Sequence, residues 1–174
     1  MSQIKSFEEL TTHLNNISNR KRMAVANAVD SHTIEAVLEA VDMGLIEAYL
    51  IGDVASIESA ELFSRNPSPH IHIIDMPDVK EATLEAVRMV RSGEADILMK
   101  GLVNTDVLLR AILDKEKGFH TPGKVMSYNA AMNLPGYHKL LFFSDPVVIP
   151  SPSLTQRIEM IRYAIETTRK FGIY

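Results

Sequence analysis

The sequence contains no cysteine and no tryptophan. The first absence excludes disulfides, thiolate metal sites and cysteine nucleophiles, and it fits a reducing compartment. Aromatic residues are sparse, five Tyr and six Phe, which leaves little material for platforms that stack nucleic-acid bases. Positive charge is not in excess. Eighteen Lys and Arg stand against 22 Asp and Glu, a net charge of −4, so non-specific nucleic-acid binding is not the expected role. No apolar run approaches the roughly 20 residues of a membrane helix. The opening MSQIKSFEEL has no apolar core of signal-peptide length. The glycine fingerprints of nucleotide sites are missing as well: no GxGxxG follows a strand and no GxxxxGK[ST] occurs. There is no GxSxG nucleophile elbow and no internal repeat. The expectation is a soluble, cytoplasmic protein that works on small molecules, with no nucleic acid, membrane or metal involved.

What is present is an ordinary globular composition, 46% hydrophobic and 23% charged over 174 residues, enough for one domain with a real core. Apolar periodicity predicts a helix from Ser6 to Ile17, with Ser6 and Glu9 as a capping box and Phe7, Leu10, Leu14 and Ile17 on one face. A strand at Met23–Ala26 follows, then a helix at Thr33–Met43 that turns Ile34, Val37, Leu38 and Val41 inward and stops at Gly44. Next come a strand at Ala48–Ile51, a short helix at Ile57–Ser64, and a strand at His70–Ile74. A helix opened by Pro77-Asp78 runs to Val90, followed by a strand at Ile97–Met99 and a helix at Val107–Lys115. Residues 124–133 read as strand at Val125-Met126 and as either type at Ala130–Met132. Pro135-Gly136 is a turn and Leu140–Phe143 a strand. Ser153 and Gln156 cap a last helix, Leu154 to Lys170, in which Ile158, Ile161, Ile165 and Thr168 recur on one side. Gly172 is its expected C-cap, with Ile173-Tyr174 beginning a further strand.

Strands alternating with helices predict an α/β fold, a three-layer α/β/α domain with a largely parallel sheet. We place it at residues 1–150, with 151–174 as a linker and helix leading into a second domain that is absent. Ligands in such sheets bind beyond the carboxyl ends of the strands. The turns to search are therefore 27–32, 52–53, 100–105 and 144–145.

The stretch ADILMKGLVNTDVLLRAIL, residues 95–113, is the best of these. A buried strand ends at Lys100-Gly101, and Asn104, Thr105 and Asp106 offer oxygens where a helix begins. Orphan N–H groups at a helix N-terminus attract anions, and Lys100 and Arg110 add positive charge. The plainer reading makes Asn104 and Thr105 helix caps and Asp106, Arg110 and Asp114 a solvated row of i,i+4 ion pairs. Asp145, after an apolar strand, is either functional or the start of a turn with Pro146. His70 and His72 share a strand face but lack a third metal ligand. His32 is a general-base candidate or a loop residue, and Ser127 and Tyr128 have no evident partner.

At ADILMKGLVNTDVLLRAILDKEKG the sequence resembles the phosphate acetyl/butyryltransferase family, nearest to its phosphate butyryltransferases. AVDSHTIEAVLEAVDMGLIEAYLIGD and LPGYHKLLFFSDPVVIPSPSLTQRIEMIRYAI carry the resemblance across most of the chain. It implies the first domain of a two-domain fold akin to isocitrate and isopropylmalate dehydrogenases, in a homodimer. It also implies short acyl transfer between coenzyme A and phosphate, with both as substrates and no tightly bound cofactor. Arg110 matches the arginine of the family's T-D-x-L-L-R segment, associated with phosphate. Lys100 and Thr105 match neighbouring cleft positions, and Asp145 matches the acid after the next strand. Asn104 completes the substrate-binding candidates, and no catalytic residue is assigned within these residues. Family members are longer, and the serine, arginine and aspartate credited with acyl transfer lie in a later part. Ile149 stands near where many relatives carry asparagine. The resemblance implies little activity for this portion alone. The alternative is a non-catalytic α/β module that binds a phosphometabolite or mediates dimerisation.

Overall fold

The computed structural model describes residues 3–17, 19–59, 68–119, 121, 123–145 and 148–174. The elements in chain order are α1 (Phe7–Asn15), β1 (Lys21–Ala26), α2 (Ser31–Asp42), β2 (Ile46–Gly52), α3 (Val54–Glu58), β3 (Ile71–Asp75), α4 (Val79–Ser92), β4 (Ile97–Lys100), α5 (Thr105–Leu113), β5 (Asn129–Met132), β6 (Leu141–Ser144) and α6 (Leu154–Lys170). They fall into two compact units, one of Ser18–His120 and one of Met1–Ile17 with Thr121–Tyr174. Residues 121–150 thus share a unit with 151–174.

The 18–120 unit is a parallel sheet in the order β3-β2-β1-β4. β1 alternates its side chains between two cores, as strand geometry demands. Ala24 and Ala26 point to one face, where they meet Ala82, Ala86 and Met89 of α4 and Leu108 of α5. Val25 points to the other, with Ile34, Val37 and Val41 of α2 and Ile57 of α3. The three-layer expectation therefore describes this unit. Alanines line both sides of the β1–α4 contact, which lets helix and strand approach closely. Each fully buried Ile, Leu or Val contributes about 1.5–3 kcal/mol of burial. Ile34, Val37 and Val41 are all at most 1% exposed, so the inward face of α2 is as its spacing predicts.

Two of the expected elements in this unit shift. α3 begins at Val54, not at Ile57, because Asp53 serves as its N-cap and accepts from the Ser56 N–H at 2.8 Å. The remainder of the expected Ile57–Ser64 helix lies largely outside the described residues, as do Pro67, Pro122 and Pro146. α5 starts two residues early, at Thr105, and ends two residues early, at Leu113. Asp114 leaves the helix and accepts from the N–H groups of Glu116 and Lys117 at 2.8 and 2.7 Å.

The other unit holds an antiparallel β5–β6 pair with α1 and α6. The Pro135-Gly136 turn joins the two strands, with Gly136 at φ 80° and Tyr137 N–H donating to the Leu134 carbonyl. α6 has the predicted bounds and a complete capping box from Ser153 and Gln156. It closes on Gly172 at φ 75°, whose N–H donates to Arg169 O while Ile173 N–H donates to Thr168 O, the two bonds of a Schellman end. No strand follows at Ile173-Tyr174.

Two amphipathic assignments need correction. No residue of α1 is buried, and Phe7, Leu14 and Ile17 are 39–53% exposed. On α6 the stripe of Leu154, Ile158, Ile161 and Ile165 is exposed, while Met160 is the buried residue. Spacing names a face but not the surface that covers it. The Ser6–Glu9 box is also altered. Ser6 Oγ caps the Glu9 N–H at 3.1 Å, but the Glu9 carboxylate accepts from Lys5 N–H instead of Ser6 N–H.

Candidate anion site at the strand tips

In the order β3-β2-β1-β4 the chain steps from β1 through β2 to β3 and then returns to add β4 on the other side of β1. The gap between the carboxyl ends of β1 and β4 is the topological switch point, where open α/β sheets receive ligands. Two helices start there, α2 after β1 and α5 after β4. Their N-termini differ. At α2 the Asp30 carboxylate accepts from Thr33 N–H at 2.9 Å. Burial opposes ionisation of that carboxyl, yet the Thr33 hydroxyl and N–H hold it below its usual value. A negative group of the protein already occupies that helix end. At α5 the N-cap is Asn104, which makes no side-chain cap bond. Every other described helix has a side-chain cap, from Ser6, Asp30, Asp53, Asp78 or Ser153. Asn104 and Thr105 are exposed. Asn104 is thus an N-cap by position only, and the first-turn N–H groups are left for another acceptor.

Lys100 closes β4, is exposed, and makes no ion pair among the described residues. The turn after it is held against β1. Gly101 N–H donates to Ala26 O at 3.0 Å and Leu102 N–H to Asn27 O at 2.9 Å. Gly101 is required by space: a Cβ would stand 2.7 Å from Ala26 O and nearer still to Asn27 O. Asn27 is 4% exposed, sits at φ 54°, and its amide donates to Leu102 O at 2.5 Å. Val103 plugs into the core at 6% exposure. Lys100, Asn104 and Thr105 are therefore brought together on one fixed turn.

Arg110 stands apart from them. Its side chain is 82% exposed and pairs with Asp106 at 3.3 Å. It lines a groove of about 280 Å³ between α4 and α5, with Lys80, Leu84 and Val107. None of Lys100, Asn104 and Thr105 lines that groove. The ion-pair row reaches only from Asp106 to Arg110, because Asp114 is committed to the turn below. A larger groove, about 380 Å³, runs past Met76, Leu84, Arg88, Arg91 and Lys117. Its arginines are engaged: Arg88 by Glu85 and Glu94, Arg91 by the Glu116 carbonyl.

Asp145 belongs to the other unit. It has a left-handed backbone, φ 45°. Its carboxylate accepts from Val148 and Ile149 N–H at 2.6 and 2.9 Å, and its N–H donates to Tyr128 O. That is a turn-forming role for the acid. Ser127 Oγ and Asn129 Oδ1 nearby are buried without a partner among the described residues. His72 bonds Glu47 at 2.7 Å and stacks on Tyr49. His32 lies exposed in the first turn of α2. Among the described residues no three His, Asp or Glu converge as a metal set, and no helix is long and apolar enough to cross a membrane. Asn27 lies in the 27–32 turn that the sequence marked, but sequence reasoning did not single it out. Its only signal was an amide side chain at the end of an apolar strand.

Comparison with known proteins agrees with the resemblance. Residues 76–174 match the family described as phosphate acetyl/butaryl transferase. A phosphate butyryltransferase of Clostridium beijerinckii is 40% identical over 170 residues, which are 97% of this chain and 55% of the relative. A phosphate acetyltransferase of Thermotoga maritima is 37% identical over 155 residues, 88% of this chain and 51% of the relative. The crystal structure of a branched-chain phosphotransacylase from Enterococcus faecalis superposes with a TM-score of 0.72 at 22% identity, covering 88% of this chain and 53% of that one. The chain spans about half the length of the relatives it matches. With a family match over more than half of its length and identities near 40% along nearly all of it, the chain belongs to the phosphate acetyl/butyryltransferase family.

Proposed function

We propose that this chain is part of a cytoplasmic, homodimeric enzyme that moves a short acyl group, such as butyryl or acetyl, between coenzyme A and inorganic phosphate. Membership of the family carries the reading, and the uncapped start of α5 beside Lys100 supports phosphate as the ligand of this portion. Phosphate oxygens accept from the first-turn N–H groups of α5, with Lys100 at the strand tip and the Asn104 and Thr105 side chains at the rim. Arg110 stands apart from those residues and joins the phosphate only by leaving Asp106 and swinging toward the helix start, a small cost for an exposed pair. Asp145 shapes its own turn and is carried as a further substrate-binding residue.

In the acyl-phosphate direction, a base outside these 174 residues takes the coenzyme A thiol proton. The thiolate sulfur attacks the acyl carbonyl carbon, and the carbon–oxygen bond to phosphate breaks. Phosphate leaves with that electron pair, stabilised by the positive groups that held it. The reverse reaction forms the acyl phosphate from acyl-CoA and phosphate. Coenzyme A and phosphate are substrates, and no tightly bound cofactor enters.

Two measurements test this. Extending the chain with the unmatched portion of the Clostridium beijerinckii relative should give thiol release from butyryl-CoA and phosphate; a folded chimera that releases none refutes the activity. The 174-residue chain alone should bind phosphate by calorimetry yet release almost no thiol. Turnover by it at ordinary enzyme rates, roughly 1–1000 per second, would refute the division of labour. Absence of phosphate binding would refute the site and favour a module of another ligand class.

A further inference from the structure

We propose that Asn27 is a positioning residue of the phosphate site, an assignment that rests on the function proposed above. The observations come from the opposite side of the switch point. Asn27 lies one residue beyond β1, 75 positions before Leu102. It grips Leu102 at both ends of one residue: its carbonyl accepts the Leu102 N–H, and its amide donates to the Leu102 carbonyl. Such a two-point grip carries the β1–β4 contact beyond the last strand pair, Ala26 with Lys100. The grip needs the left-handed backbone at Asn27, φ 54°, a region that asparagine adopts more readily than most residues. It also needs Gly101, since any Cβ there would strike the carbonyls of Ala26 and Asn27.

What the grip fixes is the stretch from Lys100 to Asn104. Leu102 itself is 59% exposed, so its own side chain does not anchor the turn. The anchors are the Asn27 grip before it and the buried Val103 after it. Between them they set where Lys100 ends and where the open N–H groups of α5 begin. Asn27 is nearly buried and its amide is spent on Leu102, so it acts on the anion through the turn and does not touch it. Anion sites built from backbone N–H groups depend on donors held in place before the ligand arrives.

The test measures phosphate affinity and stability separately, on the full 174-residue chain with inorganic phosphate as the probe. Asn27→Gly keeps the left-handed backbone at no steric cost and deletes only the amide. Asn27→Asp keeps the shape and replaces the donor by an oxygen facing the Leu102 carbonyl. Both variants should bind phosphate at least about ten-fold more weakly, the equivalent of roughly 1.4 kcal/mol, while a thermal melt of the Gly variant stays within a few degrees of wild type. The amides of Leu102 and Val103 should lose hydrogen-exchange protection in both. Should the Gly variant fail to fold, the isosteric Asp variant carries the measurement. Wild-type affinity in either folded variant overturns the assignment and leaves the phosphate site standing. Failure of the wild-type chain to bind phosphate removes the site and the assignment together.

Discussion

Replacing Gly101 by alanine isolates the close approach of β4 to β1. The added Cβ would sit 2.7 Å from Ala26 O and nearer to Asn27 O, both backbone atoms that have no rotamer to change. Something must move, and the candidates are the bonds from Gly101 N–H to Ala26 O and from Leu102 N–H to Asn27 O. Overpacking of this kind costs about 1–3 kcal/mol, and each displaced bond removes roughly 1 kcal/mol more. A loss of about 2–4 kcal/mol follows, a large part of the ~5–15 kcal/mol that holds a domain folded. Gly93→Ala is the matched control. Gly93 has φ 77° but nothing within 4 Å of a new Cβ, so it should lose only about 1–2 kcal/mol of left-handed strain. Urea unfolding of the three proteins, followed by circular dichroism, reads both numbers from the midpoints at constant slope. If Gly101→Ala unfolds within ~0.5 kcal/mol of wild type, the contact at the strand tips is looser than described and the fixed turn fails as an idea.

Arg110→Ala should leave stability almost unchanged, since an exposed i,i+4 pair is worth about 0.3–0.5 kcal/mol, but should weaken phosphate binding; an unchanged phosphate constant removes Arg110 from the site. Asp96 accepts side-chain and backbone bonds from Arg22, which hold its carboxyl down to about 2 from an ordinary 3.8. A depressed acid stabilises the fold above its ordinary range and ceases to as pH falls from about 4 toward 2. Carbon-13 carboxyl titration should therefore find Asp96 ionised at pH 3, and titration near 4 would show that the Arg22 pair is absent in solution. Ser153→Ala removes half of the α6 capping box and should cost about 1 kcal/mol in chemical denaturation, with no effect expected on phosphate affinity.

How much was legible depends on how local the cause is. α6 was readable to the residue because its signals are local: Ser153 and Gln156 at one end, Gly172 at the other. The inward face of α2 was readable because one stripe alone is apolar. α6 carries apolar residues on more than one side, and periodicity does not say whether Met160 or Ile161 is covered. Asp53 was read as part of the turn that closes a strand, although an aspartate caps a helix equally well. At the candidate site, Lys100 and the start of α5 were visible as a strand end and a helix start. That Asn104 would make no cap bond, and that Asn27 would hold Leu102, were not. The second depends on which strand lies beside β4, and that is a property of the sheet order.

The sheet order also dictates when the turn can form. β1 joins β2 across an offset of 25 residues, Lys21 opposite Ile46, but joins β4 across 74, Met23 opposite Ile97. Closing a loop about three times longer costs roughly 1 kcal/mol more entropy, and it must wait until β3 and α4 have been laid out between. Assembly should run outward from the β1–β2 nucleus, with the β1–β4 edge zipped last. In pulse-labelled refolding the Ala28 amide, bonded to Ile51, should be shielded before those of Gly101 and Leu102; the opposite sequence would mean that the long closure nucleates the fold.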